Sequence, residues 1–115
     1  MYGLLTADEE QLIRWMLEHG NPEARAFLSQ LDKAKATAWR CPCGCASINF
    51  VIGDLPEPSG VFHILADFIF GTDDDLSGAF VFEKGGVLAG LEVYGLAGEA
   101  PKILPLPPSL RPFAK

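Results

Sequence analysis

The stretch VFHILADFIF, residues 61–70, decides the fold. Read with the two-residue period of a strand, it sets Phe62, Ile64, Ala66, Phe68 and Phe70 on one side and Val61, His63, Leu65, Asp67 and Ile69 on the other. The first, wholly apolar set is expected to face the core. Downstream, GTDDDLSG turns the chain, and AFVFEKGGVLAGLEVYGL reads as a hairpin closed by Gly85 and Gly86, a pair suited to the positive φ angles of a tight turn. A two-residue loop there sets Phe82 opposite Ala89 and Phe80 opposite Leu91, so the apolar sets of both strands share a face.

Upstream, SINFVI puts Ile48, Phe50 and Ile52 on one side of a further half-buried strand, and ATAWRC before it is a plausible first strand. Before Lys35 the period is helical. Thr6 and Glu9 have the spacing of a capping box, Leu12, Ile13, Met16 and Leu17 recur on one helix face, and Glu10, Arg14 and Glu18 form i,i+4 charge pairs on the other. Gly20 ends this helix. Asn21 as N-cap and Pro22 at the first helical position start another, with Ala24, Phe27, Leu28 and Leu31 as its apolar stripe. These features predict an α+β fold, an N-terminal helical hairpin packed on one face of a four- to five-stranded antiparallel sheet.

The 115 residues make one domain: a hairpin over 1–35, a sheet over 36–97 and a Pro-rich extended tail over 98–115. Pro101, Pro105, Pro107, Pro108 and Pro112 exclude helix and central strand from that tail. Its Ile103, Leu104, Leu106, Leu110 and Phe113 suit a strap along the domain better than a free ligand for a proline-recognising module.

The composition, 49% hydrophobic and 21% charged, is that of an ordinary globular chain, and no apolar run approaches the ~18 residues of a membrane span. The start MYGLLTADEE lacks the basic and apolar blocks of a secretory signal, so a cytoplasmic location is expected. A net charge of −6 disfavours nucleic acid and anionic lipid as partners and permits a basic protein.

All three cysteines fall in RCPCGCAS, residues 40–47. Cys41, Cys43 and Cys45 could contribute thiolates to zinc, with His63, His19 or a residue of a second subunit as the fourth ligand, although zinc pairs are usually spaced C-x2-C. C-x-C closes a tighter ring than the C-x-x-C of redox proteins, which weakens a thiol-redox reading. Small buried thiols at a Pro/Gly bend are the simplest alternative, so no cofactor is expected, with zinc the one candidate.

Asp73, Asp75, Ser77 and Gly78 imitate the opening of a calcium loop, but its twelfth position is Lys84, so a solvated acidic turn is expected. His63 and Asp67 share a strand side roughly 13 Å apart, too far for a direct pair, and His19 suits a helix C-terminus without further role. With no catalytic constellation, a non-enzymatic function is expected. The side of the sheet away from the helices would carry Val51, Leu65, Ile69, Val81, Leu88 and Tyr94 among Ser47, Asn49, His63, Asp67, Glu83 and Glu92. Half of that is apolar, which marks a partner, a homodimer or a covering tail. The candidate interaction face is Leu65, Asp67, Ile69, Val81, Leu88, Glu92 and Tyr94. A protein-interaction or immunity-like module that docks a protein partner or itself fits these features, and zinc binding and thiol redox chemistry are the alternatives.

The helical hairpin, RCPCGCASINF, GVLAGLEVYG and LPLPPSLRPF resemble a group of small bacterial proteins of unknown function. In these a C-x-C-G-C-x-S-I stretch precedes a Gly-x-Leu-x-x-Leu-Glu-like segment and a Pro-rich tail. The matching residues are Cys41, Cys43, Gly44, Cys45, Ser47, Ile48, Gly86, Leu88, Leu91 and Glu92. The resemblance implies a bacterial cytoplasmic domain and transfers no catalytic residue.

Overall fold

A computed structural model of the chain describes residues 3–36, 47–53, 55, 59–96 and 104–112. Its first helix begins where the capping box sets it. The Thr6 hydroxyl accepts from the Glu9 N–H at 3.1 Å, and the Glu9 carboxylate accepts from the Thr6 N–H at 2.8 Å. The helix, α1 (Ala7–His19), turns Leu12, Ile13, Met16 and Leu17 inward, all fully buried. Arg14 on its opposite side pairs with Glu10 at 2.9 Å and with Asp32 at 2.8 Å.

The expected second helix is wound differently. Pro22–Phe27 is a 3-10 helix that runs into a single α turn, α2 (Leu28–Leu31). Asn21 makes no cap hydrogen bond; its side chain donates to the Ile64 carbonyl at 3.0 Å and its backbone N–H to the Leu65 carbonyl at 2.8 Å. With its start pinned to the sheet, the segment gains length from the ~2.0 Å rise per residue of the tighter helix. Ala24 and Leu31 still reach the core.

Among the described residues, seven strands form one antiparallel sheet in the order β1-β2-β3-β6-β5-β4-β7, where four or five were expected. They are β1 (Gly3–Leu4), β2 (Ala34–Ala36), β3 (Ile48–Ile52), β4 (Phe62–Phe70), β5 (Ser77–Lys84), β6 (Val87–Gly95) and β7 (Arg111–Pro112). The additional strands β1 and β7 have two residues each, too short to display a period. Strand β2 overlaps the expected ATAWRC strand only at Ala36, with Ala34 and Lys35 taken from the end of the expected helical hairpin; residues 37–41 fall outside the described residues.

Gly85 and Gly86 close the β5–β6 hairpin with φ of 59° and 86°, as expected for a turn that twists with its strands. Beyond that turn the register departs from simple alternation twice. Phe82 pairs with Gly90 and Glu83 with Leu88, so Ala89 is an extra residue on β6. Ile64 pairs with Phe82 and Ala66 with Val81, so Leu65 is an extra residue on β4. Both bulges flank Phe82 on β5, the strand between β6 and β4. A bulge shifts the alternation that follows by one residue, which re-sorts the two faces.

The inner face, against α1 and α2, therefore collects Leu65, Ala66, Phe68, Ala79, Val81, Leu88, Leu91 and Val93, all buried. Leu65, Val81 and Leu88 belong to this core and not to the outer side, where unbroken alternation sets them. Conversely, Phe62 is half exposed and Ile64 only half buried, although both were expected in the core. Strand β3 follows its sequence pattern, with Ile48, Phe50 and Ile52 buried.

The described part of the tail lies along the helix side and the sheet edge, so of the three covers considered for the outer face it is not the one these residues supply. Pro107–Ser109 packs beside α1, Leu110 is buried, and β7 pairs with Phe68 and Ile69 of β4. Pro112 is tolerated because β7 is an edge strand that need not donate there.

Candidate functional site

The outer face is built on the middle of the sheet. On antiparallel strands, directly paired residues project to the same side. One row reads Asp67, Phe80 and Glu92 across β4, β5 and β6; the next reads Ile69, Gly78 and Tyr94; on the other side of the first stands Ile64 beside Phe82 and Gly90. Phe62 pairs with Lys84 at the end of this face.

Aromatic rings connect these rows. The Phe80 ring centroid lies 6.2 Å from that of Phe62, 5.7 Å from Phe82 and 5.9 Å from Tyr94. Phe62 meets Phe82 edge-on at 5.7 Å. Such pairs add about 0.5–1.5 kcal/mol beyond their area burial, so the rings hold one another as a patch. Lys84 places its ammonium 6.0 Å from the Phe82 centroid, within range of a cation–π contact.

Tyr94 is fixed by two features. A methyl group on Gly78 would fall 2.3 Å from Cζ of Tyr94, so the phenol ring lies flat over the glycine. The Tyr94 hydroxyl donates to Oδ1 of Asp67 at 3.4 Å. Partial burial, followed by the nearby Asp67 carboxylate and this hydrogen bond, pushes the Tyr94 pKa up to about 12. An unfolded chain loses that proton near pH 10, whereas the folded chain retains it. Stability should therefore fall as pH rises from about 10 to about 12 and should level off beyond. Ultraviolet titration should resolve the late-ionising tyrosine, and Asp67→Asn should move its midpoint down.

Of the seven residues expected to form the interaction face, Asp67, Ile69, Glu92 and Tyr94 lie on it, and Leu65, Val81 and Leu88 lie in the core behind it. The rings of Phe62, Phe80 and Phe82 are the main components that alternation hides, because it assigns them to the core. Two glycines per strand pair would have been the usable sign: Gly78 and Gly90 leave room for neighbouring rings. A Cβ on Gly90 would stand 3.0 Å from the tip of Phe82.

His63 sits on the inner side at the sheet's end and is 57% exposed. Its Nδ1 is 3.3 Å from Glu83 and its Nε2 3.8 Å from Glu23, and Glu83 also accepts the Gly86 N–H at 2.8 Å. His19 stacks on Trp15 at 4.2 Å, and its Nδ1 lies 2.8 Å from the Trp15 carbonyl at the end of α1. Neither histidine forms a nucleophile–base pair with these neighbours.

Cys41, Cys43 and Cys45 lie outside the described residues. The first described residue after them, Ser47, is buried; its hydroxyl accepts the Val93 N–H at 2.8 Å and donates to the Val93 carbonyl at 3.3 Å. This anchors the entry to β3 on β6, three strand positions from His63 on β4. Among the described residues, no group of three or more His, Cys, Asp or Glu side chains is arranged to hold a metal ion. No described helix is long and apolar enough to cross a membrane. Comparison with known protein families, with curated proteins and with solved structures finds no match.

Proposed function

We propose that the chain is a non-enzymatic interaction module, of the immunity type, that docks a basic protein partner on the outer face of its sheet. The observation that carries this is the linked ring patch of Phe62, Phe80, Phe82 and Tyr94, set among the carboxylates of Asp67 and Glu92. Rings supply contact area and few rotors, which favours aromatic residues at the centres of interfaces. The net charge of −6 adds steering, since an acidic surface accelerates encounter with a basic partner. Helices α1 and α2 both occupy the opposite face, and among the described residues no helix packs on the outer side.

A random twelve-residue peptide display library, selected on the folded chain, tests the proposal. Enriched peptides should combine basic with apolar residues, weaken as salt rises, and lose binding to Phe62→Ser, a substitution at a half-exposed position. No enrichment over an unrelated acidic protein, or binding indifferent to Phe62→Ser, overturns it. A dimer that dissociates on Phe62→Ser would assign the face to a second copy and overturn the basic partner.

A further inference from the structure

Phe80 stands on the outer face between two acidic residues. Its cross-strand neighbours are Asp67 on β4 and Glu92 on β6, and directly paired residues of this kind hold their Cβ atoms about 4.5–5.5 Å apart. Ala79 and Val81 on either side of Phe80 are fully buried, which fixes its side chain on the outer face. There the ring is half-buried, flanked by Phe82 and Tyr94 and with the near-parallel Phe62 ring 6.2 Å away.

The two carboxylates differ. Asp67 is engaged by the Tyr94 hydroxyl. Glu92 has no ion-pair partner among the described residues. An aromatic ring beside such a carboxylate suits a cation with an apolar flank: the ring quadrupole attracts the charge, and the carboxylate accepts its hydrogen bonds. Lys84 over Phe82 shows the same chemistry within the molecule, one row away.

Resting on the docking face above, we infer that Phe80 and Glu92 form a seat for an arginine side chain of the partner. Arginine fits better than lysine. Its guanidinium is planar and weakly hydrated, so it can stack on the Phe80 ring while its edge presents two parallel N–H groups to Glu92. Lysine's compact, strongly hydrated head is also attracted by a ring, but it cannot stack on one while presenting a two-pronged edge to the carboxylate. Tyr94, held by Asp67 and Gly78, closes one side of the seat, and Phe82 closes the other.

The probe is acetyl-arginine amide, titrated into the isotopically labelled chain with amide chemical shifts as readout and acetyl-citrulline amide as the uncharged isostere. Arginine amide should shift the signals of Asp67, Phe80 and Glu92 in a saturable way. Citrulline amide should bind at least about tenfold more weakly, and so should arginine amide to Glu92→Gln, because each change removes the charge from one side of the pair. The Glu92→Gln spectrum away from β4, β5 and β6 reports whether the fold is kept. Equal responses to the two amides, or shifts scattered over the acidic surface and unaffected by Glu92→Gln, overturn the seat. Display peptides that require Phe62 but contain no arginine also overturn it while leaving the docking face standing; a display without enrichment removes the face itself.

Discussion

Leu65→Ala is expected to destabilise the chain by about 2–5 kcal/mol, the usual cost of truncating a fully buried leucine whose neighbours cannot collapse into the space. Leu65 is 0% exposed although it occupies the sequence position that alternation assigns to the outer side. Its neighbours in the core, Ala66 and Phe68 on β4 and Val81 on β5, are backed by α1 and cannot shift freely. Phe62→Ala, at a position that alternation assigns to the core, should cost less than about 1.5 kcal/mol, because the ring is 50% exposed and gives up mainly its contacts with Phe80 and Phe82. Urea unfolding of both variants gives the order directly, provided the slopes agree. The reverse order would mean that β4 runs without a bulge at Leu65.

Gly20→Ala should cost about 2–3 kcal/mol, at the upper end of what overpacking brings. The reason is close approach and not backbone freedom, since φ at Gly20 is −88°. A Cβ there would lie 2.6 Å from the Ala66 Cβ and from the Leu65 carbonyl oxygen, and 2.9 Å from the Met16 carbonyl oxygen. None of these is the end of a flexible side chain, so relief requires α1 to move off β4. That movement would also stretch the two hydrogen bonds from Asn21 to the carbonyls of Ile64 and Leu65. Thermal unfolding measures the loss, and increased amide exchange at Asn21 should accompany it. A Gly20→Ala chain as stable as the parent would contradict the tight crossing of helix end and bulge.

The same bulge explains what the sequence conceals. The capping box of Thr6 and Glu9, the inward stripe of α1, the alternation of Ile48, Phe50 and Ile52, and the Gly85–Gly86 turn are local signals, and local chemistry enforces them. The bulges at Leu65 and Ala89 have no compositional sign of their own, because both added residues are apolar and fit a strand as well as their neighbours do. Each sets two successive residues on one side of its strand and shifts the register against β5 by one. Leu65 and Leu88 thereby join Ala66 and Ala89 in the core, and Val81 pairs inward with Ala66 and Leu91 while Phe62, Phe80 and Phe82 share the outer face with Asp67, Ile69, Glu92 and Tyr94. The hybrid 3-10 and α segment after Asn21 is hidden for another reason: its winding follows from the attachment of Asn21 to β4, a contact 43 residues away in sequence.

The candidate site was thus half legible. Its charges and Tyr94 could be read from the period, but its rings could not, because large apolar residues on a strand are assigned to the core by default. The sulfur cluster of Cys41, Cys43 and Cys45 stands apart from this, and metal content with a thiol count on protein purified without chelator addresses it.

The claim that joins fold to function is that the bulges create an acidic, ring-lined face which takes a basic partner. Titration calorimetry of a display-selected basic peptide against the parent chain and Glu92→Lys tests it most directly. The docking face requires the peptide to bind Glu92→Lys at least about tenfold more weakly, with the difference shrinking as salt rises, since opposite charge is replaced by like charge beside Phe80. Equal affinity for the two proteins at low salt would contradict it.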